Sequence, residues 1–206
     1  MATYQFQTEV NQLLKLIIHS LYSNKDIFLR EIVSNGSDAL DKLKYLTVSD
    51  DSYKSVTFEP RIDIFFNEEK KMLIVKDTGI GMDEDDLNSN LGTIARSGTK
   101  AFLEKLENEA KKDSSLIGQF GVGFYSAFMA ANKIEVITRK AGTSKLYRWS
   151  STGTNSYDVE EIATDNPDAK EYGFEDTNSH GSAIVMYLND DSGEYASRWK
   201  VEELIK

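Results

Sequence analysis

The chain has 206 residues, of which 40% are hydrophobic, enough for one sizeable domain with a buried core. Its 34 acidic residues outnumber its 24 basic residues and give a formal net charge of −10, which argues against a nucleic-acid-binding or anionic-membrane-binding surface. The absence of cysteine excludes disulfides and thiolate metal sites, and the two histidines, His19 and His180, are too few for a histidine metal site.

The N-terminal stretch MATYQFQTEV is polar and lacks the apolar run of a signal peptide. No apolar stretch is long enough to span a bilayer. We therefore expect a single cytoplasmic domain over 1–206, with neither a membrane nor a nucleic acid as partner.

Local patterns predict the elements of the first half of the chain. Amphipathic spacing predicts helices at about 8–23 and about 25–45. Two apolar stretches, RIDIFF (61–66) and KMLIVKD (71–77), flank the polar turn NEEK and predict a β-hairpin. The acidic stretch DEDDL (83–87) predicts a short helix, because the helix dipole favours acids in the first turn.

The second half begins with a predicted helix, TKAFLEKLENEA (99–110), followed by a glycine-rich loop that leads into a helix, GQFGVGFYSAFMAA (118–131). The stretches KIEVITRK and KLYRWSS flank AGTS and predict a second hairpin over 133–151. A strand, SAIVMYL (182–188), and a helical pattern, ASRWKVEELIK (196–206), complete the chain.

This order mixes helices with antiparallel hairpins and predicts an α+β two-layer sandwich, in which a mixed, mostly antiparallel sheet carries helices on one face. The helical pattern at the C-terminus has no stop signal after Lys206. We therefore expect the chain to be the N-terminal fragment of a longer protein.

The second helix carries a polar stripe, Glu31, Asn35, Asp38 and Lys42, whose members follow at intervals of four, three and four residues. A separate polar sector already provides a solvent-facing side, and it comprises Arg30, Ser34, Ser37, Asp41 and Lys44. A third sector with polar residues of its own favours the wall of a pocket, with a second solvated face as the alternative.

Asp77 follows the apolar residues Ile74 and Val75 at the end of a strand, and Gly79 and Gly81 come shortly after it. Since burying an unpaired charge is unfavourable, Asp77 should face a hydrogen-bond donor. Glycines let a ligand approach the backbone and permit positive φ. An ordinary Asp-Gly turn is the alternative.

Three more glycines, Gly118, Gly121 and Gly123, stand just before a predicted helix. Free N–H groups at a helix N-terminus bind anions, so this loop is a candidate phosphate site. A flexible hinge is the alternative, and it is compatible with phosphate contact. The acid, the stripe and the glycine loop together describe a site for a base and its phosphates.

Four strings carry a resemblance to a known family: YSNKDIFLREIVSNGSDALDKL, DTGIGM, NLGTIARSGTKAF and IGQFGVGFYSAF. They closely resemble the N-terminal ATP-binding domain of the heat-shock protein 90 chaperones, and most of all its bacterial members. The resemblance runs from about Phe6 to the end of the chain and is weakest in 150–180. The ATPase of DNA gyrase, the MutL repair protein and sensor histidine kinases share the short D-x-G-x-G element but not the longer strings. The implied fold is the Bergerat, or GHKL-type, ATP-binding fold.

At the base end, the resemblance implies that Asp77 accepts the exocyclic amino group of adenine and that Gly81 and Met82 pack against the ring. Ser182 stands where a threonine usually supports the adenine, so the hydroxyl is kept and one methyl is lost. Asp38 either contacts the site or pairs with Lys42 at i,i+4, and the sequence leaves both open.

At the phosphate end, the resemblance implies that Asn35 holds Mg²⁺ and that Asn90 lies along the ribose and α-phosphate. Glu31 would orient and deprotonate the attacking water, and residues 92–123 would form a lid over ATP. The backbone N–H groups implied for the phosphates are those of Gly121, Val122, Gly123 and Phe124.

Two further departures from the family pattern are visible. Gly36 stands where many relatives have alanine, on the apolar side of the helix, where it would permit close packing against the sheet. Arg96, a residue of the implied nucleotide site, stands where many relatives have lysine; it keeps the charge but changes the geometry of the donors.

The function implied by the resemblance is a Mg²⁺-dependent ATPase domain of a heat-shock, stress-response chaperone that acts on unfolded or partly folded client proteins. Turnover of ATP to ADP would be slow in isolation, because a cationic residue of the following domain completes the site. The full-length protein would be a homodimer through later regions, and this fragment a monomer. The alternatives are a phosphotransferase of the same fold, and a nucleotide-free module that only binds clients.

Overall fold

The computed structural model describes residues 2–5, 25–92, 123–154 and 156–205. The strands are β1 (Ala2–Gln5), β2 (Ile62–Asn67), β3 (Met72–Asp77), β4 (Ala131–Arg139), β5 (Leu146–Ser151), β6 (Ser156–Ile162) and β7 (Gly181–Leu188). The α-helices are α1 (Ile27–Ser49), α2 (Glu84–Asp86), α3 (Pro167–Glu171) and α4 (Arg198–Ile205). Turns of 3₁₀-helix cover Asp51–Tyr53, Gly123–Met129 and Asp190–Ala196, and a π-helical turn covers Leu87–Leu91.

The strands form one sheet in the order β1-β6-β5-β4-β7-β3-β2, and every pairing between the described strands is antiparallel. Both predicted hairpins are confirmed, because β2 pairs with β3 and β4 pairs with β5. The α+β class is confirmed as well. Strands β4, β7 and β3 each lie between two other strands and contribute residues to the cores on both faces of the sheet, which explains why their sequences are the most apolar.

One face of the sheet packs against α1 and the 3₁₀ turn at 123–129, and α4 packs against α1 on the same side. The apolar side of α1 contributes Phe28, Leu29 and Ile32, each no more than 2% exposed. Leu73 and Val75 of β3 belong to the same core. This face holds the main core, and its α1 layer stands directly above the end of β3.

The opposite face of the sheet carries a second, smaller core. There Met72 and Ile74 of β3 pack with Phe174 and with Ala169 of the short helix α3. Helical cover is therefore mostly, but not only, on one face. None of the helices in the described ranges is long and apolar enough to cross a bilayer.

The secondary structure differs from the predictions at several places. The part of the predicted helix 118–131 that the structure describes is a 3₁₀-helix, Gly123–Met129. Strands β1 and β6 and helix α3 are additional to the predicted elements. The helices expected at about 8–23 and 99–110, and most of the expected lid at 92–123, lie outside the described residues.

Candidate functional site

A cavity of about 470 Å³ lies between α1 and the sheet. Its lining comprises Glu31, Ile32, Asn35, Gly36, Asp38, Ala39, Lys42, Leu46, Tyr53, Asp77, Ile80, Gly81, Met82, Asp86, Asn90, Leu91, Gly123, Phe124, Lys140, Ser182 and Ile184. This volume is in the usual range for small-molecule sites, and the lining joins apolar walls to a few polar groups.

Helix α1 forms one wall through the stripe that the sequence indicates. Glu31, Asn35, Asp38 and Lys42 all line the cavity. The other polar sector of the helix is exposed to solvent at each of its positions, Arg30, Ser34, Ser37, Asp41 and Lys44. The prediction that the stripe lines a pocket is therefore confirmed. No ion pair in the described part of the chain joins Asp38 to Lys42, and both residues are exposed at the rim.

Asp77 lies on the floor of the cavity, where the last residue of β3 meets Ser182 of β7. It is 5% exposed, and its Oδ1 accepts a hydrogen bond of 2.8 Å from the Gly79 N–H. Burial raises the pKa of Asp77 from 3.8 to about 6, although the backbone amides of Gly79 and Ser182 and the nearby His180 oppose that change. A carboxylate held here has a strong preference for a hydrogen-bond donor from a ligand.

The two glycines after Asp77 are required by the protein itself. A Cβ on Gly79 would lie 2.6 Å from the carbonyl carbon of Ala39, so this turn packs directly on the backbone of α1. Gly81 has a φ of +65°, and a Cβ there would lie 1.9 Å from the Arg139 carbonyl oxygen of β4. Contact between chain segments, in addition to any ligand approach, therefore excludes side chains at both positions.

A buried hydroxyl pair connects the floor to the turn, and one member, Thr138, is not among the residues that the sequence predicts for the site. The Thr138 hydroxyl donates to the Gly181 carbonyl at 2.9 Å and accepts from the Met82 N–H at 3.0 Å. The Ser182 hydroxyl lies 2.9 Å from the Thr138 hydroxyl and can donate to it. Ser182 is thereby fixed beside Asp77, which suits it for the supporting position that the resemblance implies.

Lys140, the residue after β4, is a second residue of the site that the sequence does not predict. Its ammonium group lies 2.6 Å from Asp83 and 2.8 Å from Asp86, and Lys140 and Asp86 both line the cavity. The segment that contains Met82 is thus held against the end of β4 in two ways: by the hydrogen bond from the Met82 N–H to Thr138 and by the ion pairs of Lys140.

The far end of the cavity brings Glu31 next to the glycine loop. A Cβ on Gly123 would lie 2.3 Å from the Glu31 Oε2, so the absence of a side chain lets the carboxylate approach the loop. Burial raises the pKa of the half-buried Glu31. The Phe124 side chain points into the core, where it packs edge-on against Trp149 with ring centroids 5.5 Å apart. That contact fixes the start of the 3₁₀ turn against the sheet.

Ten of the sequence-predicted site residues therefore lie around one cavity: Glu31, Asn35, Asp38, Asp77, Gly81, Met82, Asn90, Gly123, Phe124 and Ser182. Arg96, Gly121 and Val122 lie outside the described residues. Gly36 also lines the cavity, and a Cβ there would lie 3.2 Å from Ile62 Cδ1 and 3.4 Å from Asp77 Cβ, which confirms close packing of the helix on the sheet.

Comparison with known proteins agrees with this geometry. A family model described as histidine kinase-, DNA gyrase B-, and HSP90-like ATPase matches residues 22–181. The chain is 59% identical over 209 residues to the chaperone protein HtpG of Treponema denticola, which covers 100% of this chain and 32% of that protein. It is 57% identical over 206 residues to the HtpG of Wolinella succinogenes, with 100% of this chain and 31% of that protein covered.

The HtpG of Campylobacter jejuni is 58% identical over 204 residues, which cover 98% of this chain and 31% of that protein. The chain thus spans about a third of the length of the curated relatives it matches. The chain belongs to the histidine kinase-, DNA gyrase B- and HSP90-like ATPase family, and it is an ATP-binding domain of the type found in HtpG chaperones.

Proposed function

We propose that the cavity binds ATP, with adenine against Asp77 and the phosphates towards Glu31 and Gly123, and that slow hydrolysis there serves a molecular chaperone. The observation that carries this proposal is the buried carboxylate of Asp77 on the floor of an open cavity. An adenine amino group is a donor that such a carboxylate accepts strongly, because charged hydrogen bonds are the stronger ones.

The walls near Asp77 suit a purine. Ile80, Met82 and Ile184 contribute apolar surface to the same cavity, and a flat ring needs such surface on its faces. The Ser182 hydroxyl, fixed by Thr138, adds a polar group beside the acid. In this proposal Gly81 and Met82 pack at the base, and Asp38 and Asn90 lie near the sugar and the rim.

The other end suits phosphates and a water molecule. A carboxylate whose pKa is raised by burial is a better general base near neutral pH, and Glu31 is such a group. It adjoins Gly123, where the backbone N–H groups of the loop begin the 3₁₀ turn. The roles of Arg96, Gly121 and Val122 stay predictions from the family resemblance.

Mg²⁺ belongs to this proposal as well. Asn35 supplies an amide oxygen at the cavity wall, one turn of α1 beyond Glu31, and oxygen ligands are those that Mg²⁺ prefers. Since Mg²⁺ usually combines few protein ligands with substrate phosphates, a single amide fits the ion. Bound with ATP, the ion would neutralise phosphate charge.

The test of the catalytic assignment compares three variants of α1. Glu31→Ala removes a base and a negative charge, so we expect ATP affinity to hold or rise slightly while hydrolysis falls by about 10²–10⁴. Asn35→Ala should weaken binding of the Mg-nucleotide itself. Asp41→Ala is the matched control, because Asp41 is an exposed acid on the same helix outside the cavity.

ATP affinity and single-turnover hydrolysis would be measured for each variant. Retained hydrolysis in Glu31→Ala would contradict the catalytic role, and lost binding would make Glu31 a structural residue. The same assay separates the rival phosphotransferase, because phosphate must be released to water and not appear on a protein. A chain that binds no nucleotide would be the client-binding module.

The finer biological statements are proposals that rest on the HtpG likeness. They are that the full-length protein acts on unfolded or partly folded clients in the cytoplasm under stress, and that it dimerises through regions beyond this fragment. The fragment itself should be a monomer with slow turnover, since in this family a cationic residue from the next domain completes the site. Sedimentation of the fragment with and without ATP would test its state of association.

A further inference from the structure

His180 holds two separate segments of the chain at the edge of the cavity floor. Its Nδ1 lies 2.9 Å from the Gly79 carbonyl oxygen, and its Nε2 lies 2.9 Å from the Thr57 carbonyl oxygen. Gly79 belongs to the turn directly after Asp77, and Thr57 to the loop between α1 and β2. The ring therefore joins the base-recognition turn to that loop.

The backbone next to the ring is equally constrained. Gly181 has a φ of +110°, and a Cβ there would lie 2.1 Å from the Asp77 carbonyl oxygen. Arg139 donates from Nη1 to the Ser179 carbonyl at 2.9 Å. The backbone on both sides of His180 is therefore held in place, and the two contacts of the ring orient the imidazole.

Both partners of the ring are carbonyl oxygens, which only accept hydrogen bonds. A neutral imidazole has one N–H donor and one acceptor nitrogen, so it can satisfy one carbonyl and must set a lone pair against the other. The imidazolium form donates to both. Only the positively charged ring can therefore donate a hydrogen bond to both the Gly79 and the Thr57 carbonyl oxygen.

We propose that His180 is a positioning residue of the nucleotide site that acts in its doubly protonated form, holding the Gly79 turn in place and supporting the charge of Asp77. This inference rests on the proposed function of the cavity. His180 touches neither the expected position of the adenine nor the phosphates, since it is absent from the cavity lining. It acts through the turn that shapes the floor.

The charged groups on the segments around His180 are Asp77 on β3, Arg139 and Lys140 at the end of β4, Glu59 and Arg61 in the loop before β2, and Glu175 and Asp176 in the loop before β7. Of these, Asp77 interacts electrostatically with the ring, and the interaction favours the ionised carboxylate. Loss of the imidazolium charge should therefore weaken the site twice: one of the two hydrogen bonds that join the Gly79 turn to the Thr57 loop is lost, and the carboxylate that accepts the adenine is less stabilised.

The first test compares the affinity for Mg-ADP of the wild type, His180→Gln and His180→Arg at about pH 6 and about pH 8, on either side of the usual imidazole range. The advantage of the wild type over His180→Gln should shrink by about two- to tenfold between the two pH values, the effect of one hydrogen bond. His180→Arg keeps its charge and its donors at both pH values, so the affinity of the wild type relative to His180→Arg should fall between about pH 6 and about pH 8.

Because the charge at position 180 also affects the ionisation of Asp77, the ratio of wild type to His180→Arg, which keeps that charge, separates the effect of the ring from the titration of Asp77. A wild-type to His180→Gln ratio that is the same at both pH values would overturn the positioning role. A wild-type chain that binds no ADP would overturn the proposed function itself, which is a different result.

A second measurement does not depend on the folding of a variant. The sequence has 2 histidines, so nitrogen-15 correlation spectra of the imidazole rings are simple, and His180→Gln assigns the signals where it folds. We expect an N–H signal from each ring nitrogen of His180 in the ligand-free protein, because each nitrogen lies against a carbonyl oxygen. A ring that carries a single N–H would overturn the proposal.

Discussion

Asp77→Asn should weaken nucleotide binding and at the same time stabilise the empty domain. The buried carboxylate is unfavourable for the fold but useful for the ligand, because it supplies the acceptor for the adenine amino group. Asparagine has nearly the same shape, and its oxygen can still accept from the Gly79 N–H. The substitution therefore removes the charge and leaves the packing of the floor in place.

The size of the effect follows from the raised pKa. Burial raises the pKa of Asp77 from 3.8 to about 6. Since a tenfold change in proton affinity corresponds to about 1.36 kcal/mol, ionised Asp77 lowers the free energy of unfolding by on the order of 3 kcal/mol at neutral pH. The amide keeps part of the desolvation cost, so we expect Asp77→Asn to gain about 1–3 kcal/mol.

The sign with pH follows from the same values. Because the pKa of Asp77 is higher in the folded than in the unfolded protein, its ionisation destabilises the fold. This destabilisation is absent below pH 3.8, grows between pH 3.8 and about 6, and is constant above that. Urea unfolding of the wild type and of Asp77→Asn at several pH values should therefore show a difference in the free energy of unfolding that grows over this pH range. Asp41→Asn, on the exposed side of α1, is the control, and its free energy of unfolding should follow that of the wild type at every pH.

Affinity for ADP should fall by roughly ten- to a hundredfold in Asp77→Asn, because a hydrogen bond to a charged group contributes about 1.5–3 kcal/mol. Equal stability of the two proteins at neutral pH would refute the burial argument. An unchanged dissociation constant would remove Asp77 from the base site.

Two glycines on either side of the floor should respond in opposite ways. Gly36→Ala should stabilise the domain by up to about 1 kcal/mol in thermal or urea unfolding, because alanine favours the helix. The added methyl would lie 3.2 Å from Ile62 Cδ1, the mobile end of a side chain that can move aside. A loss of stability would show that this contact cannot relax. Gly81→Ala should lose about 2–5 kcal/mol in the same assay, because φ is +65° and the methyl would overlap the Arg139 carbonyl oxygen at 1.9 Å. A Gly81→Ala protein of wild-type stability would contradict the strained geometry.

The features that the sequence predicts well are those set by local pattern. The two hairpins follow from short apolar strands around polar turns, and the Glu31 stripe follows from helical periodicity on α1. Asp77 stands out because an acid after a buried strand is unusual. Each of these signals lies within one element, so a single stretch of sequence contains it.

The features that escape prediction depend on contacts between distant parts of the chain. Thr138 and Lys140 join the site because β4 is paired with β7, which places Thr138 opposite Ser182. A threonine inside an apolar strand is otherwise unremarkable. The sequence pattern suggests that the glycines after Asp77 leave room for a ligand, but it does not show that a side chain at either position would also overlap the backbone of α1 or β4.

Strand β6 carries a sequence signal that the predicted elements leave out. Its sequence, SYDVEEI, alternates buried Tyr157 and Val159 with the outward acids Asp158 and Glu160. That alternation is the period of a half-buried strand, although the high acid content argues against one by propensity. Pairing with β5, where Arg148 meets Glu160 at 2.8 Å, overrides the propensity.

The central claim is that this cavity binds an adenine nucleotide, and calorimetric titration of the chain with ADP, with and without Mg²⁺, tests it most directly. The account predicts saturable binding of one ADP per chain, tighter in the presence of Mg²⁺ and weakened in Asp77→Asn. No saturable binding in either condition, or binding that Asp77→Asn leaves unchanged, would contradict it.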